Sequence, residues 1–182
     1  MPMPTAARPN EAAEYRPSLR DYARVTGFLV VYAVGLVAAT RADGPPPGPD
    51  ALIAPMGAMV AITSVVWFAM VLVRNYAAIR GLGSAAYFID YRTNPPAEWI
   101  ERPARTFNNL MQVPTLFYVV CILMMITQRV GAPAVVLSWI FVLTRALHAT
   151  IYMVWNHVPS RFATWNASVI TLIVLWTRFL LA

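Results

Sequence analysis

The chain has 182 residues, of which 59% are hydrophobic and only 12% are Asp, Glu, Lys or Arg. An ordinary soluble domain has roughly 25% charged residues, so this composition excludes a soluble protein with a single core. The net charge of +6 comes from Arg alone, because the sequence has no Lys. These arginines flank apolar runs and form no basic stripe with interleaved aromatic residues, which excludes a nucleic-acid-binding surface. The single cysteine, Cys121, excludes an intrachain disulfide and leaves no Cys-based metal site.

The apolar runs predict an all-α integral membrane helical bundle. A membrane-spanning helix needs about twenty mostly apolar residues. Five windows meet or approach this length, at roughly 23–40, 55–75, 106–127, 133–156 and 162–181. Residues 1–22 are predicted to be an irregular cytoplasmic tail, because they lack the apolar centre and cleavage site of a secretory signal. The segment 23–42 is predicted to span the membrane, with an interfacial helix as the alternative, and 43–54 to form a Pro-rich outer loop.

The distribution of Arg predicts the orientation of the bundle, since cytoplasmic loops are enriched in positive charge. With the amino terminus in the cytoplasm, the inner arginines are Arg8, Arg16, Arg20, Arg24, Arg74, Arg80, Arg92, Arg102, Arg105 and Arg161, and the outer ones are Arg41, Arg129 and Arg178. We therefore expect a cytoplasmic amino terminus. Arg without Lys is typical of a GC-rich prokaryotic genome, which indicates a bacterial inner membrane.

Polar side chains of the third window lie on one helical face. Arg105, Asn109 and Gln112 are spaced by four and three residues. Pro114 follows them and removes a backbone donor. Two interpretations stay open: a binding site inside the bundle, or a snorkelling Arg next to amides that join helices by hydrogen bonds.

The fourth window carries a second polar stripe. Arg145, His148, Tyr152 and Asn156 are spaced by three, four and four residues. An Arg at the bilayer centre costs at least about 2.5 kcal/mol to insert, so it is expected to face the bundle interior and to have a partner. No Asp or Glu occurs in any window to pair with it. Arg145 is therefore either part of a site or a structural cation held by carbonyl groups or a neighbouring helix.

Two segments of the sequence resemble a known family. ERPARTFNNLMQVPTLFY, at 101–118, resembles the second helix of the MAPEG superfamily, the membrane-associated proteins in eicosanoid and glutathione metabolism. WIFVLTRALHATIY, at 139–152, is similar to the next helix of that family's bacterial branch. The resemblance covers 55–181. It predicts a MAPEG-like four-helix domain at 55–182, to which the first membrane helix is an addition.

The resemblance implies a homotrimer that binds glutathione between neighbouring subunits near the cytoplasmic face. The implied glutathione contacts are Arg74, Arg105, Asn109, Gln112, His148 and Tyr152. Arg161 lies close to the position of the arginine proposed to stabilise the thiolate in the leukotriene-C synthase branch, so Arg161 or Arg145 is expected to face the sulfur. Gln112 stands where glutathione-binding members usually have Glu, and His148 stands where the mammalian enzymes have Tyr.

Two functions are compatible with this resemblance. An enzyme of this kind conjugates glutathione, its co-substrate, to an apolar electrophile or reduces a lipid hydroperoxide. The alternative is a non-catalytic accessory subunit that packs against other membrane protein subunits, and the missing Glu, the added helix and the Pro-rich loop favour it. A transporter is disfavoured because no window contains a carboxylate for ion coupling. Membrane lipids are expected partners in each case.

Overall fold

The computed structural model describes residues 17–45, 47–83, 87–91 and 95–181. The elements in these residues are α1 (Leu19–Thr40), a 3₁₀ turn (Pro49–Leu52), α2 (Ile53–Ile79), α3 (Tyr87–Asp90), α4 (Glu98–Ile126), α5 (Ala132–Val154) and α6 (Val158–Leu181). The predicted irregular tail, 1–22, lies outside the described residues except for its last six positions, and α1 begins within it.

Five of the helices are long and apolar enough to cross a membrane, and the described residues contain no strand. The chain is therefore an all-α integral membrane protein. Helices α2, α4, α5 and α6 form a four-helix unit, and α1 is the additional amino-terminal helix. α1 has 22 residues. At about 1.5 Å per residue, it is long enough to cross a hydrocarbon core of about 30 Å.

Two helices begin several residues before the hydrophobic windows that predict them. α1 begins four residues before its window because Ser18 and Asp21 form a capping box. Asp21 N donates to Ser18 Oγ at 3.3 Å, and Ser18 N donates to Asp21 Oδ2 at 2.9 Å. α4 begins at Glu98, eight residues before its window. Arg105 consequently lies about two turns inside α4.

Helix α5 is the central helix of the bundle. In its most apolar segment 56% of the residues are buried, whereas the corresponding share is 33% or less in each of the other four spanning helices. It packs mainly against α6 and also against α4 and α2. Phe117 of α4 stacks on Phe141 of α5 with ring centroids 4.4 Å apart, and both rings are fully buried. Of the polar stripe of α5, Arg145 and His148 are buried between the helices, and Tyr152 and Asn156 are partly exposed.

The added helix α1 packs against α6 and α5, and within the described residues it has no contact with α2 or α4. The Tyr32 hydroxyl of α1 donates to the Ala167 carbonyl at 2.8 Å and lies 3.0 Å from Thr171 Oγ1. At the other end of the interface, His157 Nε2 lies 3.1 Å from Asp21 Oδ1. α1 therefore leaves the exposed face of α4 uncovered.

Candidate functional site

A fully buried guanidinium joins three helices of the four-helix unit. Arg145 of α5 is 0% exposed. Its Nη2 donates to the backbone carbonyl of Asn109, on α4, at 2.9 Å and to Asn109 Oδ1 at 2.5 Å. Its Nη1 donates to Ser168 Oγ, on α6, at 3.5 Å. Charge-assisted hydrogen bonds of this kind are about twice as strong as neutral ones, so they tie α4, α5 and α6 together at this depth.

The partners of Arg145 are neutral. In the described part of the chain the ion pairs involve other residues, and Arg145 Nε has no hydrogen-bond partner. A buried cation without acceptors is costly, so the carbonyl and hydroxyl dipoles of Asn109 and Ser168 are needed to keep it in place. These contacts favour the structural-cation interpretation of Arg145. A role for Arg145 opposite the substrate sulfur stays a prediction.

A cavity of about 360 Å³ opens between α4, α5 and α6, beside this buried cation. Its lining residues are Asn109, His148, Tyr152, Val158, Arg161, Phe162 and Trp165. Small-molecule sites in proteins have volumes of about 300–1,000 Å³, so the cavity is large enough for a peptide-sized ligand. Four of its seven lining residues belong to the set that the sequence predicts as a site.

Two contacts orient the guanidinium of Arg161, which is half-buried at the cavity. Its Cζ lies 4.1 Å from the centroid of the Tyr152 ring, a cation–π contact. Its Nη1 donates to Asn156 Oδ1, and Asn156 Nδ2 donates to Glu98 Oε1. Arg102 Nε donates to the same carboxylate oxygen at 3.3 Å. Arg161 thus brings a positive charge to the cavity in a defined orientation.

His148 lines the cavity and carries a buried ring nitrogen that can accept a hydrogen bond. Its side chain is 3% exposed, and Nδ1 lies 2.9 Å from the Arg161 carbonyl oxygen. A carbonyl only accepts, so in the neutral ring Nδ1 carries the proton and Nε2 keeps its lone pair. Nε2 is buried and has no partner among the described residues.

Three of the predicted glutathione contacts lie away from this cavity. Arg74 Nη2 is 3.5 Å from Glu101 Oε1, so this arginine forms an ion pair with a carboxylate of α4. Arg105 and Gln112 are exposed on α4. These two residues can therefore contact only a ligand that lies on the exposed face of α4, such as a ligand held by a neighbouring copy of the chain.

Several residues around the cavity extend the set that the sequence predicts. Asn156 follows Tyr152 by four residues, so the sequence places it on the same helical face, yet it is not among the predicted site residues. Glu98 and Trp165 carry no signal that marks them as site residues, and Glu98 precedes the third window. Ser168 does carry one, because it is the middle member of three polar residues of the fifth window that are spaced by four and three residues, yet it also stands outside the predicted site.

The chain is an integral membrane bundle with a cavity between its helices that several polar side chains line. The sequence model of the MAPEG family matches residues 52–181, which is more than half of the chain. The chain therefore belongs to the MAPEG family, and α1 lies outside the matched region. The comparisons with curated proteins and with solved structures gave no significant match.

Replacing Asn109 with Ala tests the role of the buried cation. The change removes the side-chain acceptor of Arg145, and a hydrogen bond to a charged group contributes about 1.5–3 kcal/mol. We expect the free energy of unfolding to fall by about 2 kcal/mol, measured by chemical unfolding in detergent micelles. Asn166→Ala is the matched control, because Asn166 Nδ2 donates to the Phe162 carbonyl of its own helix at 2.8 Å. Equal losses in the two variants would show that Arg145 does not depend on Asn109.

Proposed function

We propose that this chain is a glutathione-dependent transferase or peroxidase that acts on apolar electrophiles in the membrane. The MAPEG family is generally associated with glutathione. The observation that supports the proposal is the convergence of Arg161, Tyr152 and Asn109 on one cavity. Arg145 holds the amide oxygen of Asn109, which leaves Nδ2 as a donor for the ligand. Glutathione has two carboxylates and a thiol, which suit a cation and an amide donor.

Arg161 is the candidate catalytic residue. A free thiol has a pKa near 8.5, and a neighbouring guanidinium lowers that pKa because it favours the anion. In conjugation, the thiol proton passes to water and the thiolate sulfur forms a bond to an electrophilic carbon, while the bond from that carbon to its leaving group breaks and the leaving group departs with the electron pair. In hydroperoxide reduction, the thiolate attacks a peroxide oxygen and the lipid leaves as an alcohol. A second glutathione thiol then converts the resulting sulfenic acid into a disulfide and water.

An exposed stripe on α4 supports assembly into a homotrimer. Its members recur at alternating spacings of three and four residues, and we call them the α4 stripe: Arg105, Asn108, Gln112, Thr115, Val119, Ile122 and Ile126. Polar side chains that face lipid are costly, whereas polar side chains at a helix–helix interface form stabilising hydrogen bonds. The stripe therefore suits contact with other copies of the chain, and the MAPEG family is generally trimeric.

In such a trimer the α4 stripe of one copy completes the cavity of its neighbour. Arg105 then binds a carboxylate of the peptide through its planar guanidinium. Gln112 accepts a hydrogen bond from the peptide ammonium but supplies no charge. We expect a lower affinity than a Glu at this position gives, because neutral hydrogen bonds are about half as strong as charge-assisted ones.

A non-catalytic accessory subunit is the second candidate, and Gln112 is the residue that favours it, since this position lacks the carboxylate usual in glutathione-binding members. The position of α1 favours the enzyme. α1 packs against α5 and α6 and leaves the α4 stripe uncovered, so the added helix does not obstruct the trimer contact.

We further propose that the chain spans a bacterial inner membrane. In this orientation the cavity lies near the cytoplasmic face, and the amino terminus is also in the cytoplasm. The contacts Asn156–Glu98 and Arg74–Glu101 bring the end of α2, the start of α4 and the α5–α6 turn to one end of the bundle. Of the ten described arginines other than Arg145, seven lie at or near this end, and Arg41, Arg129 and Arg178 lie at the opposite end, a bias that the positive-inside rule predicts for a cytoplasmic face. Membrane lipids surround the outer faces of the helices.

Calorimetric titration of the purified protein in detergent with glutathione tests the proposed function. We expect saturable binding that weakens at least about tenfold in Arg161→Gln, because the lost contact is charge-assisted. Arg80→Gln is the matched control, since Arg80 makes a cation–π contact with Tyr76, at 5.6 Å, outside the cavity. An absence of wild-type binding at millimolar glutathione would contradict the enzyme and favour the accessory subunit.

Cysteine cross-linking tests whether copies of the chain meet along the α4 stripe, as the proposed trimer requires. Ile122→Cys places a thiol on the α4 stripe, and Val31→Cys places one on the exposed side of α1. The native Cys121 is buried, so it supplies little background reaction. We expect a short, membrane-permeant bismaleimide to link copies of the Ile122→Cys variant and to leave the Val31→Cys variant monomeric on denaturing gels. The reverse pattern would place the interface at α1.

A further inference from the structure

Asn156 occupies the tight turn between α5 and α6 in a backbone conformation that few residues adopt. Its φ is +49°, in the left-handed region, and its N–H donates to the Ile151 carbonyl at 2.7 Å. Glycine adopts this region freely, and Asn does so more readily than most other residues. The backbone alone is therefore compatible with either glycine or Asn.

The side chain of Asn156 makes two contacts that a glycine lacks. Oδ1 accepts from Arg161 Nη1, and Nδ2 donates to Glu98 Oε1. A guanidinium only donates and a carboxylate only accepts, so the amide has one favourable orientation. Arg102 Nε holds the same Glu98 oxygen at 3.3 Å. A series of hydrogen bonds thus runs from the start of α4 through the turn to Arg161.

From these contacts we infer that Asn156 is a positioning residue for Arg161, an inference that rests on the proposed role of Arg161 in stabilising a thiolate. The amide keeps the guanidinium beside the cavity and over the Tyr152 ring. Because the amide is neutral, it orients the guanidinium without cancelling its charge. A carboxylate at this position would cancel much of it. The full positive charge stays available to a bound sulfur.

Two substitutions separate orientation from charge. Asn156→Gly keeps the left-handed backbone and removes the amide, whereas Asn156→Asp keeps an acceptor for Arg161 and adds a negative charge. Nearby charges shift a pKa by about 1–3 units. We therefore expect the pKa of the bound glutathione thiol to rise by about one unit with Gly and by more with Asp.

The thiolate absorbance of glutathione bound to the full-length protein, followed against pH, measures this shift. Asn75→Asp is the matched control, because Asn75 is an exposed residue of α2 whose amide bonds to its own helix at the Val71 carbonyl. We expect the control to leave the pKa of the bound thiol unchanged. A purely structural role of Asn156 would lower the stability of the variants and leave that pKa where it is in the wild type.

A second readout separates this inference from the proposed function. In ¹⁵N-labelled protein without glutathione, we expect slow rotation of the Arg161 guanidinium in the wild type and faster rotation in Asn156→Gly, with the Arg80 guanidinium unchanged. If the wild type binds no glutathione, the proposed function fails, and this spectrum still tests the contact. Free rotation of Arg161 in the wild type, or unchanged thiol pKa values and spectra in both variants, would overturn the inference.

Discussion

The burial of the Arg145 charge is the constraint on which the rest of the site depends. A guanidinium inside a helical membrane bundle needs acceptors, and here they come from Asn109 on α4 and Ser168 on α6. Meeting this need fixes the depth of three helices relative to each other. It also fixes the amide of Asn109 with its oxygen toward the cation, which leaves the nitrogen to donate to another partner. One buried charge thus determines both the packing and part of the polar lining.

In the proposed trimer, one copy contributes the cavity to each glutathione site and a neighbouring copy contributes the α4 stripe. Within one chain, Arg161 and Tyr152 offer a cation and an aromatic face to a ligand. Arg105 and Gln112 are exposed on α4, where they suit the ligand of an adjacent copy. The added helix α1 covers α6 and α5 and so leaves this arrangement possible. The polar part of the stripe is costly to expose to lipid in a lone chain, and it is the surface that the proposed trimer buries.

Hydrophobicity predicted the five helices and the all-α membrane fold, and the matching motifs predicted the family, because both depend on local sequence. Spacing placed His148 and Tyr152 on one face with Arg145, but it did not distinguish the buried Arg145 from the cavity-lining Arg161. That difference depends on how α4 and α6 pack against α5. Glu98 stayed unmarked because α4 extends beyond the apolar window, and a polar helix end carries no periodic hydrophobic signal. Glu98, which accepts a hydrogen bond from Asn156, lies 58 positions away in the sequence, so residue spacing along the chain does not predict this contact.

The most direct test of the proposed glutathione site is an electron cryomicroscopy structure of the full-length protein in lipid nanodiscs with glutathione. We expect a threefold assembly in which the α4 helices meet along the α4 stripe. We also expect the peptide to lie in the cavity between α4, α5 and α6, with its sulfur beside the Arg161 guanidinium and a carboxylate at Arg105 of a neighbouring copy. A monomer, or a glutathione molecule bound away from Arg161, would contradict this proposal.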